Sequence, residues 1–349
     1  MTKRMLFIGI AIVSLMVATL ACSFGSDFIE DEYPVDDEEY YQEEPYQTEE
    51  PENEHAPAAG GSCPATISKV LAAATEFNEN DDSGVREEQE NVYIVTYTVS
   101  GNQISDPNFE NVSNDLQEYQ DDETTHQQIW EHFITLIPLR ERESVLAEFS
   151  ISTDGKDNSL AAVAQTTSDP ARWALEVDIV DSNDTLNLTY TLIHEYAHLL
   201  TLGPDQVTPS LAIFNNPDDE DIYFNETSAC PDYFPGEGCS QPNSYINAFF
   251  SRFWADIHEE WQDINLIEDD DAYYQALDNF YYDYEDRFLT DYAATNPEED
   301  IAESFTFFVL SPRPAGNTIA EEKILFFYNY PELISLREQI NNGICQITP

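Results

Sequence analysis

The stretch TLIHEYAHLL, Thr191–Leu200, places two histidines four residues apart with a glutamate directly after the first. Residues i and i+4 of an α-helix lie on the same face, so the imidazoles of His194 and His198 can share one metal ion. Glu195 lies beside that face, where its carboxylate can accept a proton from a water molecule on the metal. Two histidines and a glutamate are costly to bury in an apolar helix unless a metal satisfies them. The stretch therefore predicts a buried helix that carries a metal site.

This helix is predicted to lie against a small β-sheet. Three short runs precede it, separated by Asp-Gly and Asp-Pro turns: AEFSISTDG, SLAAVAQTT and ARWALEVDIV. A further strand is predicted at Asn91–Ser100, which alternates and is rich in Val, Ile and Tyr. Asp181 and Asp184 supply capping side chains before the helix. We expect the three runs to pair as antiparallel strands.

Helices are predicted for most of the remaining chain. The patterns favour a first helix from Cys63, a long one at about Asp115–Leu139 and a largely helical, aromatic-rich segment from about Ser244 to the end. The fold class is therefore α+β. A small sheet containing antiparallel strands packs on the helix with the two histidines, and the C-terminal half is largely helical.

A catalytic zinc site needs a third protein ligand, with the fourth position left for water. Asp205 follows the second histidine, but the adjacent Gly-Pro favours a surface turn, and His258 lies far along the chain without a companion motif. The better candidate is Asp291–Phe308, DYAATNPEEDIAESFTFF, where Asn-Pro starts a helix with acidic residues behind it. Glu299 and Glu303 share a face of that helix. One can hold the metal while the other hydrogen-bonds a ligand histidine.

The pattern Y-x-x-T-N-x-x-E-x-x-A-E, which begins at Tyr292, resembles the catalytic domain of anthrax lethal factor and its relatives. An H-E-x-x-H helix followed by a helix with a glutamate ligand is the layout of the gluzincin metallopeptidases. The resemblance implies that Glu299 is the third zinc ligand, Glu303 the supporting carboxylate and Tyr292 the phenol that stabilises an oxyanion. It covers two short segments rather than the whole chain. The tail Lys323–Ile340 is also similar to secreted bacterial proteins with zinc-peptidase domains.

This resemblance implies a zincin-like fold and a zinc-dependent endopeptidase that binds one Zn²⁺ per chain and acts on peptides or proteins. Glu195 would be the general base and Tyr292 the oxyanion donor. The alternative is a catalytically inactive, metal-stabilised surface binding module; the presence of Glu195 favours the enzyme, because a general base has no structural duty. From element order alone, the strand ARWALEVDIV, Ala171–Val180, is a hypothetical site for pairing with an extended substrate, and proline substitutions within Trp173–Asp178 would test it.

The N-terminus predicts export. Lys3 and Arg4 precede an apolar run, Met5–Ala21, which is followed at once by Cys22. This is the layout of a secretory signal. The ending resembles the bacterial lipoprotein box, although Thr19 stands where that pattern prefers leucine. We expect residues 1–22 to be a signal peptide with lipidation at Cys22, which anchors the protein to the membrane at the bacterial cell surface. The alternative is an ordinary cleaved signal and a soluble secreted protein.

The charge is strongly negative. Lys and Arg number 13 against 69 Asp and Glu, a formal net charge of −56, which excludes nucleic-acid binding through phosphate neutralisation. Asp27–Glu54 holds fourteen acidic residues and no basic one. Such a segment buries too little apolar surface to fold. We therefore expect a disordered acidic stalk at residues 23–62 and a folded domain at residues 63–349.

Four cysteines remain after the lipobox-like position. An even number in an exported chain predicts disulfides, and no C-x-x-C spacing supports a cysteine zinc site. Cys230 and Cys239 flank a proline- and glycine-rich stretch typical of a stapled loop. Cys63 and Cys345 stand at the two ends of the predicted domain, where a bond between them would join the termini.

Overall fold

The computed structural model describes residues 63–79, 91–156 and 159–347. The predicted signal peptide, Cys22 and the acidic stalk lie outside the described residues. The strands are β1 (Val92–Ser100), β2 (Gln103–Phe109), β3 (Leu146–Thr153), β4 (Ala161–Gln165), β5 (Trp173–Asp178), β6 (Val207–Pro209) and β7 (Gly238–Ser240). Strands and helices follow one another in runs rather than in regular alternation, and the α+β fold class is confirmed.

The helices of the described residues follow in chain order. They are α1 (Cys63–Glu79), α2 (Gln117–Asp121), α3 (Glu123–Leu136), α4 (Leu139–Arg142), α5 (Thr185–Leu202), α6 (Leu211–Asn215), α7 (Glu220–Ala229), α8 (Tyr245–Phe253), α9 (His258–Asn265), α10 (Asp270–Asp283), α11 (Pro297–Leu310), α12 (Ile319–Phe327) and α13 (Pro331–Ile347). Short 3₁₀ helices occupy Glu285–Arg287 and Tyr292–Ala294. The predicted helical C-terminal segment is confirmed.

The main sheet has five strands in the order β2-β1-β3-β5-β4. The expectation of antiparallel pairing is wrong for one pair: β3 and β5 run parallel, whereas β4 pairs antiparallel to β5. β4 forms a hairpin on the outer side of β5, so β5 inserts between β3 and β4. Trp130 of α3 packs on Phe149 of β3, with ring centroids 5.4 Å apart, and this contact covers one face of the sheet.

The central position of β5 overturns the hypothesis that Trp173–Asp178 pairs with a substrate. Its backbone is hydrogen-bonded to β3 on one side and to β4 on the other. A strand paired on both sides has no free N–H and C=O groups to offer. The free edge on this side of the sheet belongs to β4.

The long helix predicted at about Asp115–Leu139 is divided. Asp122 separates α2 from α3, and its side chain accepts a hydrogen bond from the backbone N–H of Thr125. An aspartate in this position satisfies an N–H that has no partner at a helix start, so it begins a new helix rather than continuing the old one.

The helix that carries the two histidines begins as its sequence predicts. Asp184 is the N-cap, and its carboxylate accepts from the backbone N–H groups of Leu186 and Asn187. From Leu188 to Leu202 the helix is buried except at two residues. It packs against β4 of the sheet on one side and against α11 on the other.

Helix α11 is also buried almost throughout. Asn296 caps it by accepting from the N–H of Glu299, and Pro297 occupies the first turn, where its missing N–H costs nothing. Asp300 of this helix pairs with Lys323 of α12 at 2.5 Å, and both side chains are fully buried. This ion pair joins α12 to α11. Loss of either partner would leave an unpaired charge in the core and strongly destabilise the fold.

Both predicted disulfides are present. Cys63–Cys345 joins α1 to α13, so it connects the first and last described elements, and Cys230–Cys239 closes the loop before β7. Two such bonds indicate an oxidising compartment, extracellular or periplasmic. Gly343 permits close packing of α13, since a Cβ there would lie 2.3 Å from the carbonyl oxygen of Thr135. No helix among the described residues has the length and apolar character needed to cross a membrane.

Candidate metal centre

Helix α5 presents the two predicted histidine ligands side by side. His194 and His198 are 6% and 7% exposed, and their rings lie 4.9 Å apart between centroids. The Nε2 atoms of the two rings are 3.2 Å apart. Two ring nitrogens at this distance repel through their lone pairs unless a proton or a cation lies between them.

Helix α11 brings Glu299 to the same point, although more than a hundred residues separate it from the histidines. Its Oε2 lies 3.0 Å from Nε2 of His194 and 3.3 Å from Nε2 of His198. The three donor atoms therefore form a nearly equilateral triangle with sides between 3.0 and 3.3 Å. The chain thus brings two imidazole nitrogens and one carboxylate oxygen together in a buried position.

This triangle fits a tetrahedral zinc ion. Ligands about 2.0 to 2.1 Å from the ion lie about 3.3 Å from one another at the corners of a tetrahedron. Two histidines and one carboxylate are a donor set that zinc takes in catalytic sites, with a fourth position for water. The residues present therefore fit the metal that the sequence predicts, and their assignment as ligands stays a prediction.

Glu303 supports the arrangement from one turn further along α11. Its Oε1 lies 2.9 Å from Nδ1 of His194, on the side of the ring away from the triangle. Tyr190 donates to the same carboxylate at 2.8 Å and Thr290 donates to it at 2.9 Å. The two hydroxyl groups fix the position of the Glu303 carboxylate. The carboxylate in turn orients the imidazole of His194.

The charges of the site favour a bound cation. Burial lowers the pKa of His194, but its hydrogen bonds to Glu299 and Glu303 and the negative charges of these two residues outweigh burial and raise that pKa well above the ordinary value. Burial acts to raise the pKa of Glu299, yet the two histidines lower it far below its usual range. Two carboxylates held beside two imidazoles create a negative pocket that a cation neutralises.

Glu195 lies next to the triangle rather than in it. Its carboxylate is within 4.8 Å of the donor atoms of both histidines, so the three residues also form a buried group of possible ligands. Glu299 makes the shorter contacts, 3.0 Å and 3.3 Å to the two Nε2 atoms, and these favour it as the third ligand. Burial raises the pKa of Glu195 to about 7, against the opposing effects of the two histidines and of the backbone of Val163 on β4.

Tyr292 stands at the mouth of the site. Its ring centroid is 5.9 Å from that of His194, at an interplanar angle of 44°. The residue is 45% exposed. Loss of hydration at the hydroxyl group, together with the carboxylates of Glu299 and Glu195, raises the pKa of the phenol well above 10. The hydroxyl group therefore keeps its proton and can donate it in a hydrogen bond.

The other sequence candidates lie elsewhere. Asp205 is exposed in a turn, as its Gly-Pro neighbour predicts, and His258 starts α9, where its ring stacks on Trp261. All four cysteines of the described residues are in disulfides.

Sequence reasoning missed the two residues that donate hydrogen bonds to Glu303, Tyr190 and Thr290. It also missed an unpaired ring nitrogen on His198. Tyr190 lies four residues before His194, so helical spacing was a signal that could have found it. Thr290 gave no signal, because only the fold brings it to the carboxylate. Nδ1 of His198 is buried and has no hydrogen-bond partner among the described residues.

No family model matches the chain, and no curated protein matches it. Among solved structures it is similar to a crystal structure described as that of a "putative zinc-binding metallo-peptidase" from Bacteroides caccae. The likeness covers 83% of this chain and 97% of that chain, at 14% identity and a TM-score of 0.30. At this TM-score it supports no conclusion about this chain. The gluzincin and lethal-factor resemblance stays a prediction.

Proposed function

We propose that the chain is a zinc-dependent endopeptidase that hydrolyses peptide bonds of extracellular substrates. The observation that carries this proposal is the triangle of two imidazole nitrogens and the Glu299 carboxylate oxygen, with Glu195 beside it. A site that only held a metal would need the triangle alone. The additional buried carboxylate, placed within reach of a water molecule in the fourth position, is what a hydrolase requires.

Zinc, when bound, lowers the pKa of its water molecule and polarises the scissile carbonyl group. The chain's own groups then move the protons. The Glu195 carboxylate accepts the proton that the water loses as its oxygen attacks the carbonyl carbon. The same carboxyl group passes that proton to the nitrogen of the leaving amine as the C–N bond breaks.

Tyr292 is proposed to stabilise the charge that develops on the carbonyl oxygen. Its protonated phenol stands beside His194 at the open side of the site, so a substrate carbonyl can approach it. A donor held in place before the reaction stabilises the transition state more than the substrate.

The free edge of β4 is the proposed binding site for an extended peptide. β4 packs against α5, the helix that carries the two histidines and Glu195, and its partner β5 covers only its other side. A peptide paired with β4 would gain backbone hydrogen bonds irrespective of its sequence. This assignment replaces the one that the sequence made for β5.

The location is part of the proposal. The disulfides support an oxidising compartment, and the sequence of residues 1–62 supports a signal peptide, lipidation at Cys22 and an acidic stalk. The domain from residue 63 would then act on peptides outside a bacterial cell while it stays attached to the membrane.

The test is cleavage of a mixed peptide library by the zinc-loaded full chain and by the variant Glu195→Gln. We expect the wild type to cleave, and the variant to retain its zinc while it loses about 10²- to 10⁴-fold in rate. Equal cleavage by both proteins would remove Glu195 from the mechanism. Zinc binding by a wild type that cleaves no peptide would instead favour a metal-stabilised surface binding module.

A further inference from the structure

A cavity lies against α11, the helix that carries the proposed ligand Glu299. It has a volume of about 810 Å³ and is partly open to solvent. The loop closed by Cys230–Cys239, α8 and α9 form its walls, and Glu298 stands on the wall shared with α11. Glu298 directly precedes the proposed ligand Glu299, so α11 connects this wall of the cavity to the candidate metal centre. Its size is that of a pocket for a small ligand or a large side chain.

The walls of the cavity are aromatic. Tyr233 stacks on Phe250 with ring centroids 4.0 Å apart, and His258 stacks on Trp261 with centroids 5.2 Å apart. Nδ1 of His258 is buried without a hydrogen-bond partner among the described residues. The faces of such rings carry partial negative charge and attract cations.

Every charged residue that lines this cavity, other than the histidine, is acidic: Asp232, Glu259, Asp263 and Glu298. None of these four carboxylates is in an ion pair within the part of the chain that the structure describes. Glu259 and Asp263 are exposed at the rim, whereas Glu298 is buried deep in the wall. Tyr233 donates to Glu298 at 2.6 Å and so fixes the direction of its carboxyl group.

We propose that this cavity is the subsite for a cationic side chain, lysine or arginine, of the peptide substrate. The inference rests on the proposed peptidase function, because it assigns the substrate class of that same site. A guanidinium or ammonium group would meet aromatic faces around its aliphatic stem and a carboxyl group at its end. The net charge of −56 would also attract basic peptides over a long range.

The first test is binding, which does not depend on turnover. Calorimetry measures the affinity of the full-length Glu195→Gln variant for an acetylated, amidated pentapeptide with a central arginine and four alanines. The same peptide with citrulline, which keeps the shape and removes the charge, is the matched probe. We expect the arginine peptide to bind at least about tenfold more tightly, as a charged hydrogen bond implies.

The second test removes the buried carboxyl group from the protein. Glu298→Gln, in the same background, should abolish the preference for arginine over citrulline while zinc content stays unchanged. Asp278→Asn is the matched control, since it removes one acidic charge from the exposed surface of α10, outside the cavity. Tyr233→Phe, which frees the Glu298 carboxyl group, should reduce the preference without a change in net charge.

Several results would overturn the proposal. These are equal binding of the two peptides, no binding of either, tighter binding of a peptide with central phenylalanine, or an arginine preference that Glu298→Gln leaves intact. Failure of the proposed function looks different, because then zinc-loaded wild type cleaves neither peptide whatever the binding result. If cleavage occurs, the ratio of kcat/KM for the two peptides should show the same preference and the same loss in Glu298→Gln.

Discussion

Nδ1 of His194 and Oε1 of Glu303 lie 2.9 Å apart. Tyr190 and Thr290 use their hydroxyl hydrogens on the same carboxylate, so Glu303 acts as the acceptor and His194 donates from Nδ1. The lone pair of a neutral imidazole is then on Nε2, which faces Glu299 and His198. This contact sets the tautomer that a metal ligand requires.

The first prediction concerns this contact. Glu303→Gln keeps the size of the side chain and removes its charge, so it should weaken zinc binding by about 10- to 100-fold. Competition with a chromogenic chelator measures the affinity. Thr290→Val, which removes one of the hydrogen bonds to the carboxylate, should have a smaller effect. Zinc affinity that is equal in Glu303→Gln and wild type would show that Glu303 does not orient the histidine.

The second prediction separates chemistry from metal binding at Tyr292. Tyr292→Phe removes only the hydroxyl group, so we expect kcat to fall by about 10²- to 10³-fold while zinc content and KM change little. Steady-state kinetics on a cleaved peptide, with zinc measured on the same sample, provide the check. A loss of zinc that accounts for the loss of activity would assign Tyr292 a role in holding the site together instead.

The third prediction is a dependence of stability on pH, caused by His132. Burial lowers the pKa of this imidazole to about 4 from an ordinary value of 6.5, and its Nε2 lies 2.9 Å from Oγ1 of Thr189 on α5. The unfolded chain binds the proton more readily between these two values. The free energy of unfolding therefore carries no penalty from His132 above pH 6.5. As the pH falls from 6.5 towards 4, this residue lowers the free energy of unfolding by about 1–3 kcal/mol.

Urea denaturation between pH 4 and 7 measures this effect. The variant His132→Gln cannot titrate there, so its stability should fall less over the same range than that of the wild type. If the free energy of unfolding falls equally with pH in the two proteins, His132 does not contribute to the acid sensitivity.

The spacing within Thr191–Leu200 was sufficient to predict the local part of the site. Helical geometry alone places His194 and His198 on one face, and Asp184 marks the start of the helix. The approach of Glu299 could not be predicted from spacing, because it depends on how α11 packs against α5. Its Oε2 lies 3.0 Å and 3.3 Å from the Nε2 atoms of the two histidines, and its role as a ligand stays a prediction.

The sheet shows where sequence patterns fail. The parallel pairing of β3 with β5 depends on a hairpin that places β4 outside β5, which no local pattern of alternation encodes. β2 was missed because Pro107 and the positive φ of Asp106 are atypical of a strand. Proline is tolerated in β2 because this strand lies at the edge of the sheet.

The central claim is that His194, His198 and Glu299 hold one zinc ion. Zinc content of the full chain and of Glu299→Ala, purified without chelator and checked for native folding, tests this claim most directly. We predict one zinc per chain in the wild type and its loss in the variant. Zinc retained by Glu299→Ala, or none in the well-folded wild type, would contradict it.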